Sequence, residues 1–317
     1  MEQNKNKKKI LILSMCCNQE LFQQQEYRLR TELYAKDILN HKFKNVDYWT
    51  YTASTDGKYH VNKKLHKIEV PTDDSLNGTY EKTYQAFKLL EQLNLDYDYI
   101  LRTNCSTYIN VNLLKCFVNK LTDERIIYSN NVYCTKDGSG PYEWSLYGVG
   151  NSLLLSKFWI NIILNNHISK IKNINENKAS KSTIFEIDDN AIGFTVNCYC
   201  LQHNYDACFI WQSWKSPLPN VDINNASDYI AIPFREYNKA KTRDNEYNKS
   251  LYIHKQITEN NGIYDDDYIK SLTENQYMHI LDFDQNMHSI VTKEFCKNFM
   301  DVVYFPYYLK NIKKTNE

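Results

Sequence analysis

Residues 96–110, DYDYILRTNCSTYIN, join the pattern of a buried strand to a turn whose side chains can bind a polar ligand. The apolar run at 97–101 leads directly into Arg102, and the turn then supplies Asn104 and Ser106. In open α/β sheets, ligands bind just beyond the carboxyl ends of the strands. Arg102 adds a fixed positive charge, and the amide and hydroxyl of the turn can hydrogen-bond a ligand. Asn and Ser are also ordinary turn residues, so a purely structural turn is the alternative.

Two adjacent carboxylates, Asp188 and Asp189 in DDNAIG, form a second candidate group. A carboxylate can act as a general base that takes the proton from a reacting hydroxyl. The alternative is that one of them caps the helix that follows, since Asp is a favoured N-cap residue. Arg102 also has a structural alternative, because Asp96 and Asp98 lie close to it in the sequence and can pair with it.

Glycines and tryptophans later in the chain offer further groups that could contact a ligand. Gly148 and Gly150 would let a ligand approach the backbone closely, although a simple turn explains them equally well. Trp211 and Trp214, in IWQSWKSP, carry rings that can either stack on a pyranose or pack in the core.

The predicted elements alternate in the order of an α/β fold with a parallel sheet. The apolar patterns predict strands at 10–15, 46–54, 97–101 and 125–133, and helices at 22–39, 79–93, 110–121 and 156–164. Asn110 is the predicted N-cap of the third helix. We expect a mostly parallel mixed sheet flanked by helices over residues 1–255, and a C-terminal helical appendage over 256–317 that packs on it.

Composition argues against binding to nucleic acid and favours a cytoplasmic location. The 317 residues carry 38 basic and 38 acidic side chains, so no overall positive field favours a nucleic acid. Nine cysteines form no CxxC pair, which favours reduced thiols in the cytoplasm. Cys198 and Cys200 fit one face of a strand and are interpreted as packing residues. The apolar run after the basic start is too short for a membrane span, so we expect a soluble chain.

Four separated segments resemble signature motifs of inverting glycosyltransferases of the β-1,3-galactosyltransferase and Fringe type. The segments are DSLNGTYEKT at 74–83, similar to DSYxNLTxKT; RTNCSTYIN at 102–110, similar to KTDDDxFVN; YGVGNSLLLS at 147–156, similar to YCSGGGYVLS; and DDNAIG at 188–193, similar to DDCTIG or EDVxxG. The resemblance covers roughly residues 10–200. It implies a GT-A fold, which is Rossmann-like and binds a nucleotide sugar.

The resemblance also implies roles for individual residues. Asp189 matches the general base that activates the acceptor hydroxyl. Its neighbour Asp188 is the second catalytic candidate, which would hydrogen-bond the acceptor or raise the pKa of Asp189 by like charge. Asn104 and Ser106 would hydrogen-bond the diphosphate or ribose of the donor, most simply a UDP-sugar. The cations expected near the nucleotide cleft are Arg102, Lys82, Arg28 and Arg30.

The chain departs from the family at the metal site. Asn104, Cys105 and Ser106 stand where the family has aspartates that bind manganese. Manganese and magnesium favour anionic oxygen ligands, so we expect metal to bind weakly at this turn and the donor to be used without a metal. The alternative is a manganese or magnesium ion held elsewhere, for example by Asp96, Asp98 or a late histidine.

The expected activity is the transfer of a sugar from the donor to a glycan or glycoconjugate hydroxyl with inversion, with peripheral membrane contact left open. The alternatives are a retaining transferase or nucleotide-sugar hydrolase of the same fold, and a catalytically inert module that binds a nucleotide sugar or glycan.

Overall fold

The computed structural model describes residues 7–39, 45–121, 123–130, 132–135, 145–148, 151–171, 187–212, 229–234, 243–259 and 279–283. Its strands are β1 Ile10–Met15, β2 Val46–Ala53, β3 His60–Asn62, β4 Lys67–Val70, β5 Tyr99–Asn104, β6 Thr107–Ile109, β7 Ile126–Ser129, β8 Val132–Thr135, β9 Ser145–Gly148, β10 Ser152–Ser156, β11 Ala207–Trp211, β12 Ala231–Pro233 and β13 His279–Phe283. Its α-helices are α1 Glu20–Arg28, α2 Thr79–Gln92, α3 Val111–Lys120, α4 Lys157–Asn165, α5 Asp188–His203 and α6 Asp244–Glu259. Helix α1 continues as a π-helix over Leu29–Leu39, and short 3-10 turns lie at Leu76–Gly78 and Ile168–Lys170.

The main sheet is mixed but mostly parallel in strand direction. Within the described residues it has nine strands in the order β13-β11-β7-β10-β5-β1-β2-β4-β3. Strands β1, β2, β4, β5, β7 and β11 run in one direction, and β3, β10 and β13 run in the other. Two small sheets join β6 to β12 and β8 to β9. The predicted α/β fold with helices around a mostly parallel mixed sheet is confirmed.

Helices cover both faces of this sheet, and each face has its own apolar core. The core on one face includes Phe87 of α2, Trp159 of α4 and Phe194 of α5. The core on the other face includes Leu33 of the π-helix and Phe117 of α3. The continuously apolar strand β1 serves both faces, which is the pattern expected of a strand buried between two helical layers.

The strand order reverses beside β1, and this point sets where a ligand crevice forms. The chain runs from β1 outward through β2 and β4, then returns through α2 to β5 on the other side of β1. The carboxyl ends of β1 and β5 lie side by side, with Met15 opposite Asn104. Ligands of open α/β sheets bind at such a topological switch point.

Local signals predicted several elements correctly. The strands and helices predicted between residues 10 and 121 fall within a few residues of their observed bounds, whereas β3, β4 and β6 were not predicted. Asn110 caps α3, because its side chain accepts a hydrogen bond from Leu113 N at 3.2 Å. The predicted strand at 125–133 is instead two strands, because the chain leaves the main sheet after β7 and β8 pairs with β9.

Two further expectations are corrected. Cys198 and Cys200 lie on helix α5, which is buried around most of its circumference and therefore lacks the amphipathic spacing that marks a surface helix. Within the C-terminal segment, residues 279–283 form β13, which pairs with β11 in the main sheet rather than forming a helix. Helix α6 extends across residue 255, and the division into a main domain and an appendage stays a prediction. No helix in the described part of the chain combines the length and apolarity needed to span a membrane.

Candidate functional site

The switch-point region comprises residues 16–18 after β1 and 104–106 after β5. The Cys105 amide donates to Met15 O at 3.3 Å, so the two strand ends stay together beyond the sheet. The Cys16 thiol donates to Phe22 O at 3.4 Å, which ties the end of β1 to helix α1. This region therefore lies between the sheet edge and the first turns of α1.

The turn at 104–106 is held by its own side chains. Asn104 Oδ1 accepts hydrogen bonds from Ser106 N at 2.9 Å and from the Thr107 hydroxyl at 3.0 Å. Cys105 is buried, and a hydrogen bond with its thiol raises the pKa of Cys16 far above the usual range. The amide oxygen is thus used within the turn, and no carboxylate replaces the family's aspartates, so the turn does not fit the manganese ion that the resemblance implies.

Arg102 and Asp188 form a buried ion pair. Arg102 Nη2 lies 2.5 Å from Asp188 Oδ2, and only 2% and 4% of the two side chains are exposed. Thr83 donates to the same carboxylate oxygen at 3.0 Å, and the Tyr51 hydroxyl lies 2.8 Å from Thr83 Oγ1 and 3.3 Å from Arg102 Nε. Burial raises the pKa of Asp188, while Arg102 and the Thr83 hydroxyl act in the opposite direction. The arrangement favours a structural role for Arg102 over the predicted contact with a diphosphate.

The partner of Arg102 differs from both structural alternatives. Asp96 pairs with Lys9, and Asp98 accepts from the Lys9 amide at 2.7 Å. Side chains of alternate residues point to opposite faces of a strand, so Arg102 faces the layer that holds α2 and α5. Asp96 and Asp98 instead bind Lys9 just before the start of β5.

Asp189 begins the first turn of α5, next to the buried pair. Ile187 is the N-cap residue, so neither aspartate caps the helix in the way that the alternative assumed. Asp189 is partly exposed, and its Oδ1 accepts from the following Asn190 amide at 2.9 Å. Its negative charge is favourable at this helix end because the helix dipole is positive there.

Helix α5 is fixed against β9 by a close backbone approach. A methyl group on Gly193 would lie 2.6 Å from Leu146 O and would also collide with Tyr147. Asn197 Nδ2 donates to Leu146 O at 2.8 Å and strengthens the same contact. The glycine is therefore required for α5 to pack on β9. This packing fixes the position of α5 and hence of Asp188 and Asp189 in its first turn.

The other predicted cations each have a carboxylate partner. Lys82 Nζ lies 2.7 Å from Asp74 Oδ1 and donates to Cys16 O at 3.4 Å, so it is attached to the carboxyl end of β1. Arg28 pairs with Asp244 at 2.6 Å. The Arg30–Glu26 distance is 2.8 Å. Of these cations, only Lys82 contacts the switch-point region directly.

The predicted sugar contacts are only partly described. A side chain on Gly148 would meet Ser129 Cβ at 2.7 Å and Leu153 Cδ1 at 2.9 Å, so strand packing accounts for this glycine. Trp211 is 4% exposed within the core, which supports the core alternative over stacking on a sugar. Gly150 and Trp214 lie outside the described residues.

Sequence reasoning missed Arg243, which contacts the turn after β5. Its Nη1 donates to Ser106 Oγ at 2.6 Å and to Glu246 Oε2 at 2.5 Å, and its guanidinium lies 3.8 Å from the centre of the Phe22 ring. Its sequence context, KTRDNEY, matches no motif. Only a long-range contact across the fold identifies it.

The cysteine and metal expectations concern side chains in several parts of the described chain. The seven cysteines whose side chains are described are free thiols. Among the described residues, no three His, Cys, Asp or Glu side chains are grouped so as to hold a metal ion.

Comparison of the chain with models of known protein families and with curated proteins finds no match.

Proposed function

We propose that this chain is a GT-A-type glycosyltransferase that moves a sugar from a nucleoside-diphosphate donor, most simply a UDP-sugar, to a glycan hydroxyl with inversion. Asp189 is the general base of this proposal. The acceptor is a glycan or glycoconjugate, and the free thiols support a cytoplasmic setting.

The observation that carries the proposal is the convergence of all four motif segments at α5. Thr83 of the first segment and Arg102 of the second both contact Asp188 of the fourth. Tyr147 of the third segment packs against Gly193 of the fourth. Segments that resemble one family's signatures in sequence thus also meet in space beside the switch point, which supports a common site.

The chemistry is a single displacement at the anomeric carbon. Asp189 takes the proton of the acceptor hydroxyl as the oxygen forms its bond to that carbon, and the bond to the diphosphate breaks on the opposite face. A carboxylate at a partly exposed helix start can reach a substrate, whereas the buried Asp188 cannot without leaving Arg102. In this mechanism Asp188 is a positioning residue that holds the first turn of α5 in place.

The leaving diphosphate needs a positive partner. The turn at 104–106 does not fit a metal ion, so the proposal assigns this role to a cationic side chain. Lys82 is the predicted cation attached to the end of β1. Its own side chain is 3% exposed and that of its partner, Asp74, is 24% exposed, so the donor would reach it from the side of Asp74. Of the cations predicted from the sequence, Lys82 is the one that contacts the described switch-point region, so we assign it to the diphosphate.

The test is to incubate the purified chain with a panel of nucleotide sugars and measure both thermal shift and release of nucleoside diphosphate. Release that depends on an added glycan supports a transferase, and inversion is read from the anomeric configuration of the product. Release without any acceptor identifies a nucleotide-sugar hydrolase. Binding without turnover for every acceptor identifies the inert binding module instead.

A further inference from the structure

A buried polar cluster that the proposed mechanism does not use lies between α1 and the start of α6. Phe22, Gln25 and Arg28 follow one another at spacings of three residues, so they lie along one side of α1. The Arg243 guanidinium lies over the Phe22 ring, and Arg28 lies 3.8 Å from the centre of the Tyr247 ring. By helix geometry, Gln25 lies between these two contacts on the same side of α1.

Within the described part of the chain, the buried side chain of Gln25 has no hydrogen-bond partner. It is 2% exposed, and neither Nε2 nor Oε1 has a partner among the described residues. The Nε atom of Arg243 is likewise buried without a partner in the described part of the chain. Buried amides without hydrogen bonds are rare in proteins because their desolvation is costly, so these atoms are available to a bound water or to a polar ligand group.

The chemistry of the cluster favours a neutral ligand with several hydroxyl groups. Arg243 is paired with Glu246, so the cluster has little net charge to attract an isolated anion. Gln25 offers both a donor and an acceptor, which matches a hydroxyl, since a hydroxyl also donates and accepts. Ser106 Oγ, on the turn at the switch point, accepts a hydrogen bond from Arg243 and so places a hydroxyl group beside the cluster.

The rim of the cluster lies at the protein surface. The Arg28 and Asp244 side chains at its rim are 32% and 56% exposed. Their ion pair is partly in water, where such pairs are weak, so it can open to admit a ligand.

We propose that Gln25 and Arg243, together with Ser106, form a subsite for the vicinal hydroxyls of a sugar ring. This inference rests on the proposed use of a nucleotide sugar and names residues that bind one of its rings. The ring is either the ribose of the donor nucleotide or a pyranose, since both present vicinal hydroxyls.

The experiment measures the affinity of the full chain for UDP, 2′-deoxy-UDP and a panel of methyl pyranosides by calorimetry, with thermal unfolding measured in parallel. Gln25→Leu removes the amide at similar volume, and Gln25→Met is the second variant. Gln24→Leu is the matched control, because Gln24 is an exposed neighbour on α1 that bonds Glu20 at 3.0 Å. Losing one or two hydrogen bonds to a ligand weakens binding by about tenfold.

The expected result is weaker binding by Gln25→Leu with an unchanged or higher Tm, because the variant also removes a desolvated amide. A purely structural glutamine would instead lower the Tm. A loss for UDP but not for 2′-deoxy-UDP assigns the site to ribose, and a loss for a pyranoside assigns it to that ring.

The proposal is overturned if both Gln25 variants bind every ligand as the wild type does, which would mean that the amide only holds water. If the wild type transfers sugar while these variants are unaffected, the subsite fails and the proposed function stands. If the wild type binds a pyranoside through Gln25 but no nucleotide, the subsite stands and the proposed function fails.

Discussion

Arg102 at the end of β5 and Asp188 at the start of α5 form an ion pair 2.5 Å long in the interior of the protein. Each residue belongs to a different segment that resembles the glycosyltransferase family. The pair joins the strand beside the switch point to the helix that carries Asp189. It therefore explains how a partly exposed carboxylate is held at a fixed place beside a candidate crevice.

Replacing Arg102 by Met should destabilise the protein by about 3–5 kcal/mol, because it leaves a buried carboxylate without its counter-charge. Chemical denaturation measures this change. The double variant Arg102→Met with Asp188→Leu removes both charges and should recover much of the loss. A double variant no more stable than Arg102→Met would contradict a direct interaction between the two side chains.

The same variant should show a defined pH dependence. Burial raises the pKa of Asp188, and loss of Arg102 removes a charge that opposes this rise. A carboxyl whose folded pKa is raised binds its proton more tightly when folded, so the folded state gains stability as pH falls through that pKa. The stability deficit of Arg102→Met relative to the wild type should therefore shrink from pH 7 toward acid pH, as followed by denaturation at several pH values. A deficit that is constant or grows on acidification would exclude an ionised Asp188 as its cause.

Gly193→Ala should lower stability by about 1–3 kcal/mol or more, since the added methyl overpacks the contact between α5 and β9. Thermal and chemical unfolding measure the loss. Gly57→Ala is an informative comparison, because nothing lies near an added methyl there but its φ of +69° disfavours a side chain. If Gly193→Ala is as stable as the wild type, the close approach of α5 to β9 is not as described.

Asp189→Asn should reduce sugar transfer by about 10²-fold or more with little change in donor affinity, which is the usual effect of removing a general base. Asp206→Asn is the control, because Asp206 is a surface carboxylate beyond the other end of α5 and is 42% exposed. Asp188→Asn should mainly reduce stability. Near-normal turnover by Asp189→Asn, or a far larger catalytic loss in folded Asp188→Asn, would reassign the base.

Transfer should persist after exhaustive chelation, because the turn at 104–106 lacks carboxylate ligands and its amide oxygen is used within the turn. Activity is measured before chelation, after chelation and after manganese is restored. Lys82→Met should weaken nucleotide binding under all three conditions, whereas Lys88→Met, at an exposed position on the same helix, should not. Activity lost on chelation and restored by manganese would show that ligands lie elsewhere in the chain.

Local patterns were sufficient for the regular elements near the N-terminus. Strand β1 was predictable because a short continuous run of apolar residues between polar ones is typical of a buried strand. Helix α3 was predictable because a cap residue, Asn110, precedes apolar residues at helical spacing. The motifs also identified Asp188, Arg102 and Gly193 as positions of interest. These signals act over a few residues, so a single sequence contains them in full.

The partners of those residues were decided only by the tertiary structure. Sequence proximity suggested Asp96 or Asp98 for Arg102, but the alternation of β5 turns its side chain toward α5 and Asp188. The contact of Arg243 with Ser106 likewise depends on how α6 packs beside α1. Which side chains are buried, and which of them pair, depends on which helices and strands pack together in the fold. Residue type and spacing alone do not determine that packing.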